Sequence, residues 1–241
     1  MENKKAIIVG ASSGIGKGLA EQLVQDGYVV GITGRREEKL LSIQEKYPEK
    51  VVISAFDVTE HTHSINCLQK LIQEMGGVDL FVYCSGQGVK NEDLSFLLDY
   101  KVIRVNITGF TNVMTFMFKY MQNQGHGHVV NISSVAGLRG NHMHAAYHAS
   151  KSYQCIYMEG LRKKSYKRHL NVKVTDIRPG FVKTEFIADR PSYLVASLEK
   201  AVKQIYAAIR KQRKVVYITK RYMIVAFLMK TFPCFLYDRC P

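Results

Sequence analysis

Short apolar runs alternate with charged segments of helical period along nearly the whole 241-residue chain. Ala6-Ile7-Ile8-Val9 contains no polar residue, so Lys4 to Gly10 predicts a strand buried on both faces. Ile15 to Asp26 then carries apolar positions at helical spacing, and Gly27 stops it. The same unit recurs. Further strands are predicted at Tyr28–Thr33, Val51–Phe56, Val78–Cys84, His128–Ser133, Val172–Ile177 and Val215–Thr219. Between them, helices are predicted at Glu37–Tyr47 (ended by Pro48), His61–Met75 (followed by Gly76-Gly77), Leu97–Gln124 and Tyr147–Lys167, with Pro191–Arg213 mostly helical. Leu97–Gln124 is apolar on more than one side, which predicts burial at an interface as well as against a sheet. The alternation predicts an α/β architecture: a Rossmann-like, doubly wound parallel sheet of seven strands with helices on both faces. It forms one domain over 1–219, with 220–241 as an apolar and basic extension.

Ligands in such sheets bind beyond the carboxyl ends of the strands. Gly10, Arg35, Asp57, Gly86, Ser134 and Gly180 all fall there and are expected to line one crevice. Gly10-Ala11-Ser12-Ser13-Gly14-Ile15-Gly16 follows the first strand and opens a helix, a setting in which backbone amides approach a pyrophosphate. Arg35 and Arg36 stand where an acid would hold a ribose 2′-hydroxyl. Guanidinium groups match a 2′-phosphate instead, which favours NADP(H) over NAD(H). Asp57, before Val58, has two competing roles: accepting from an adenine amino group, or capping the helix that begins near Glu60.

Tyr147 and Lys151 lie four apart, on one helix face. A neighbouring ammonium favours a phenolate and is expected to lower the tyrosine's pKa. The pair is built to exchange a proton with an oxygen, and Ser134 precedes Tyr147 by 13 positions.

Taken together, the glycine loop, Ser134, Tyr147-x-x-x-Lys151 and Pro179-Gly180 resemble the short-chain dehydrogenase/reductase family, in its branch of about 250 residues, over Lys5 to about Thr219. The resemblance implies an NADP(H)-dependent oxidoreductase acting on a carbonyl or secondary alcohol. Tyr147 would be the general acid/base, Lys151 its partner and a ligand of the nicotinamide ribose, and Ser134 a hydrogen-bond donor to the substrate oxygen. Asn106 would complete a tetrad by holding a water that relays protons to Lys151. Val182 and Thr184, in Pro179-Gly180-Phe181-Val182-Lys183-Thr184, match contacts to the nicotinamide carboxamide. The chain departs from the family at Tyr83-Cys84-Ser85-Gly86, where asparagines are usual; Gly86 is kept. A catalytically silent NADP(H)-binding regulator is the competing reading. A homo-oligomer, dimer or tetramer, is expected. Thr184 to Tyr193 is expected to cover the substrate.

Charge and cysteines add three points. Five cysteines without a C-x-x-C and no leading signal segment point to reduced thiols in the cytoplasm, and no metal-ligand spacing appears. His142, His144 and His148 flank the site, either lining the substrate pocket or, as favoured, lying on loop and surface. The net charge is +14, and Arg210 to Pro241 holds eight basic residues against Asp238 alone. No aromatic-rich basic platform accompanies them, which argues against nucleic acid. Tyr222–Met229 is apolar but too short to span a bilayer, with Lys230 and Pro233 interrupting. Residues 220–241 therefore either lie in a membrane interface, placing the protein peripherally at a membrane's inner face, or pack against the sheet or a second subunit. The analogy with lipid-like substrates follows from that tail.

Overall fold

The computed structural model describes residues 4–184, 195–219 and 221–239. Seven parallel strands form one sheet in the order β3-β2-β1-β4-β5-β6-β7. They are β1 Lys5–Val9, β2 Val29–Gly34, β3 Val51–Ala55, β4 Leu80–Tyr83, β5 Gly127–Ile132, β6 Val172–Pro179 and β7 Val215–Ile218. The strand order reverses between β1 and β4, which opens a crevice at their carboxyl ends.

Helices cover both faces. α1 (Gly14–Gln25), α2 (Glu37–Gln44) and α7 (Leu198–Arg210) bury Leu19, Leu23, Leu40, Ile43 and Ile205 against one face. α3 (His61–Met75), α5 (Phe110–Gln124) and α6 (Ala145–Lys167) bury Leu68, Leu71, Met114, Met117 and Met158 against the other. β1 pairs with β2 and β4 and faces helices on both sides, so its apolar run has no position left for a polar residue.

Most boundaries fall within two residues of the sequence expectation, and three elements depart further. α2 closes at Gln44, and turns carry the chain from there to β3. α7 begins at Leu198, where the Ser197 hydroxyl accepts from Lys200 N at 3.3 Å; the predicted start at Pro191 lies outside the described residues. The predicted helix Leu97–Gln124 is α4 (Phe96–Ile103), a π-helical stretch Arg104–Gly109, and α5 in series. Gly109 abuts strand-exit backbone: a Cβ there would sit 2.8 Å from Val58 O, so only glycine lets the widened turn come so close.

Beyond β7, α8 (Arg221–Thr231) and the short α9 (Cys234–Tyr237) fold back over the carboxyl ends of the strands. Tyr222 and Ala226 are buried, one helical turn apart. The tyrosine seats on Gly180, where a Cβ would lie 2.1 Å from its ring. Among the described residues no helix is long and apolar enough to cross a membrane.

Candidate active site

A cleft of about 740 Å³ opens at the β1–β4 crevice and collects residues from the exits of β1 to β6. Gly10, Ser12, Ser13, Gly14 and Ile15 line it; Gly16 begins the buried side of α1 just beneath. Gly10 has φ +91°, and a Cβ there would meet Ser85 N at 2.6 Å, so the turn requires glycine. The Arg36 guanidinium donates to Ser12 Oγ at 3.0 Å and Ser13 Oγ at 2.9 Å, joining the exit of β2 to the glycine loop. Arg35 is exposed and lies 3.8 Å from the Asp57 carboxylate. Asp57 accepts from Thr59 N at 2.8 Å, so it caps the turn into α3 while still lining the cleft beside Val58.

Asn106 sits in the π-helical stretch, fully buried. Its Nδ2 donates to Gln87 O at 2.7 Å and Ser150 Oγ at 2.9 Å, and its Oδ1 accepts from Gln87 N at 2.8 Å. The side chain thus staples the loop after β4 to α6. Where the family usually has asparagine, Tyr83 is buried, packs edge-on against Phe110 at 5.2 Å and donates to Val105 O at 3.2 Å, which ties β4 to the π-helical stretch. Gly86 lies beside the tetrad, where a Cβ would be 3.4 Å from Lys151 Nζ.

Ser133 and Ser134 divide their work. Ser133 Oγ is buried and donates to Asp176 at 2.6 Å, within a network in which Arg178 Nε meets Asp176 at 2.7 Å. Ser134 faces the cleft, accepts from Ala136 N at 3.1 Å, and hydrogen-bonds Tyr147. Tyr147 and Lys151 share one face of α6, with Nζ 5.9 Å from the phenol ring centroid. The expected lowering of the phenol pKa is not what this arrangement gives. Burial pushes Tyr147 up, and only the Ser134 hydrogen bond opposes it. The Lys151 ammonium points instead to Gln154 Oε1 at 3.0 Å and Ile132 O at 3.3 Å. Burial lowers Lys151 to about 8.

Pro179, Gly180, Val182 and Thr184 line the far wall; Thr184 lies against Gly14, and Pro179 O is 3.4 Å from Ser134 Oγ. The substrate-covering segment expected at 184–193 lies, after Thr184, outside the described residues. His144 and His148 line the cleft, contrary to the favoured surface placement, whereas His142 is exposed as expected. The reason is the turn at Asn141: its Oδ1 accepts from Met143 N at 3.0 Å and folds the loop inward, and His148 Nδ1 meets Arg139 O at 2.6 Å.

Sequence reasoning missed two contributors. Gln154 lies one turn beyond Lys151, and its spacing on the same face was the available signal. Tyr222, Val225 and Met229 of α8 also line the cleft, at the i, i+3, i+7 spacing of one helix side. Arg139 fastens that helix, donating to Met229 O at 2.6 Å and to Phe232 O, while Tyr237 Oη donates to Gly140 O at 2.6 Å. Among the described residues no cluster could hold a metal ion.

Residues 4–193 match the family described as short chain dehydrogenase, and the chain belongs to that family of oxidoreductases. An uncharacterized oxidoreductase of Myxococcus xanthus is 36% identical over 193 residues, spanning 78% of this chain and 76% of its own length. Another, from Staphylococcus epidermidis, is 32% identical over 190 residues, spanning 76% of this chain and 80% of its own length. A solved short chain dehydrogenase/reductase from Burkholderia phymatum, in complex with NAD, has a TM-score of 0.84 at 20% identity and covers 94% of this chain and 92% of its own. ElxO with NADP bound has a TM-score of 0.80 at 23% identity, with 90% of this chain and 97% of its own covered. These last two are likenesses of fold.

Proposed function

We propose that the protein is an NADP(H)-dependent oxidoreductase that interconverts a carbonyl and a secondary alcohol on an apolar, lipid-like substrate. The observation that carries this reading is the convergence of Ser134, Tyr147 and Lys151 in the same cleft as the glycine loop, Arg36 and the apolar inner side of α8. The dinucleotides in the two solved structures of this fold support a nicotinamide cofactor here. The donor set fits one: the glycine loop would take the pyrophosphate, Arg35 and Arg36 a 2′-phosphate, Asp57 and Val58 the adenine, and Gly86 the adenosine side. Lys151 would hold the nicotinamide ribose, and Pro179, Gly180, Val182 and Thr184 the carboxamide end. When bound, the cofactor supplies or accepts the hydride.

The protein's own groups handle the proton. A phenol held above its ordinary value stays protonated at neutral pH, the state that carbonyl reduction needs. Tyr147 donates that proton to the substrate oxygen, Ser134 donates a hydrogen bond to the same oxygen, and Lys151 places a positive charge beside the phenolate that results. NADPH consumption across a panel of apolar aldehydes and ketones tests the reading, and a protein that binds NADPH but reduces none of them favours the silent regulator.

The cofactor choice has its own test. Arg35→Ala with Arg36→Ala should weaken NADPH binding by roughly tenfold or more per lost charged contact and leave NADH binding nearly unchanged. Fluorescence titration of both cofactors into both proteins decides it; equal affinity of the unaltered protein for NADH and NADPH would refute the assignment.

The outer side of α8 supports a peripheral position at the inner face of a membrane. Met223, Ile224, Phe227 and Leu228 are exposed there, Phe235 follows, and Arg221, Lys230 and Arg239 surround them. Cutting the chain at Thr219 is a poor test, because it would also uncover Gly180 and open the cleft. Ile224→Glu with Phe227→Glu leaves the inner side intact. The unaltered protein should co-sediment with phosphatidylglycerol-containing vesicles, less so at high salt, and the double variant should remain in the supernatant with NADPH affinity unchanged. A change in the variant's oligomer mass, without vesicle binding by either protein, would assign the surface to a subunit contact instead. The exposed Phe96, Leu97 and Tyr100 of α4 and Tyr153 and Ile156 of α6 support a homo-oligomer formed through that other face.

A further inference from the structure

Gln154 is fully buried on α6, and its carboxamide spans two groups of the site. Nε2 donates to the main-chain carbonyl of Asn106 at 3.0 Å, and Oε1 accepts from Lys151 Nζ at 3.0 Å. Asn131 Nδ2 approaches the same Oε1 at 3.5 Å. The amide has one workable orientation. A carbonyl only accepts and an ammonium only donates, so the reversed amide would break both bonds.

A side chain thus links the Asn106 main chain to Lys151, a connection the family resemblance implied only through a water. The difference is chemical. A water takes a proton and passes one on through a single oxygen. A carboxamide keeps its donor on nitrogen and its acceptor on oxygen, so it orients its neighbours without passing a proton between them.

The other groups facing Lys151 are Cys84 from β4, Cys155 and Tyr147 from α6 and Asp176 from β6. Burial pushes both thiols up to about 11, so they are neutral at neutral pH, and Asp176 is paired with Arg178. Among the described residues, Gln154 is the side chain that accepts from the Lys151 ammonium.

We infer that Gln154 is a positioning residue, which holds the Lys151 ammonium in place on α6 and ties it to the main chain at Asn106. The inference rests on Tyr147 and Lys151 being the proton-handling pair.

The test compares Gln154→Met, which keeps the shape and removes both hydrogen bonds, with Gln154→Ala, which leaves a polar space that a water can enter. The first readout needs no substrate. Lys151 titration is followed by NMR of ε-carbon-labelled lysine in the full chain, with Lys151→Met assigning the signal. The methionine variant should lower the Lys151 midpoint by about one pH unit, the scale of a lost hydrogen bond to a charged group. The alanine variant should stay near the unaltered protein, because water restores the acceptor. The second readout is the pH profile of NADPH-dependent turnover on a panel carbonyl, in water and in deuterium oxide. The methionine variant should lose roughly tenfold in kcat. The alanine variant should turn over faster than the methionine variant, in water and in deuterium oxide alike, because a water restores the acceptor.

A purely structural Gln154 gives the opposite order, since a hole costs more than a filled apolar space, and the Lys151 midpoint does not move. An unmoved midpoint in the methionine variant overturns the inference. A midpoint that moves while the pH profile of turnover does not follow overturns the role of the Tyr147–Lys151 pair, and with it Gln154 as a positioning residue. A Tyr147→Phe protein that keeps full turnover identifies that second failure directly.

Discussion

Tyr147→Phe should abolish carbonyl reduction while leaving NADPH binding close to normal. The substitution removes one oxygen from a ring that keeps its place on α6, edge-on to His148 at 5.9 Å. What is lost is the proton donor, and general acid catalysis is worth about 10²–10⁴-fold. The Ser134 hydroxyl keeps its bond from Ala136 N, so the rest of the cleft has no reason to rearrange. Single-turnover measurement with NADPH and a carbonyl from the panel separates chemistry from binding. A phenylalanine variant with near-normal single-turnover rate would remove Tyr147 from the mechanism. Lys151→Ala should be worse, because it strips the ammonium from Gln154 and Ile132 and weakens NADPH binding together with turnover.

The second large effect is on stability. Asp176→Asn leaves the buried Arg178 guanidinium without its counter-charge 2.7 Å away. Breaking one side of a buried pair costs about 3–5 kcal/mol, a large share of a domain's stability. Arg178 is also stacked near the Tyr217 ring at 5.8 Å, and Ser133 hangs from the same aspartate, so the damage reaches β5, β6 and β7 together. Urea unfolding followed by circular dichroism measures it. A loss under about 1 kcal/mol would show that solvent reaches the arginine and that the network contributes little. Asp176→Asn with Arg178→Met, which removes both charges, should recover much of the loss.

The central strands were legible because a strand covered on both faces keeps an apolar run, and Ala6 to Val9 is such a run. The positions of Ser134, Tyr147 and Lys151 were legible because they are set by spacing along one strand exit and one helix. What could not be read depends on residues that meet only after folding. Tyr83, where asparagine is usual, reaches Val105, 22 positions away, and Gln154 reaches Asn106 across 48. The π-helical stretch keeps the helical apolar period on either side, so nothing in the pattern from Leu97 to Gln124 marks it. The inward side of α8 was not legible for a related reason: both of its sides are apolar, and an apolar stripe without a polar opposite does not show which side faces inward. The phenol's raised pKa was hidden because burial outweighs a charge whose ammonium is turned toward an amide.

The family match ends at residue 193, and α8 begins at Arg221. The shared stretch holds the glycine loop, the serine, the tyrosine and the lysine, whereas Tyr222, Val225 and Met229 close the cleft from outside it. Under the proposed function, the chain separates its reaction from its choice of reactant along its own length. Grafting a different tail onto the same first 219 residues, with Gly180 kept as the socket for an aromatic ring and Arg139 as the clasp, would give an enzyme with the same chemistry and a different appetite.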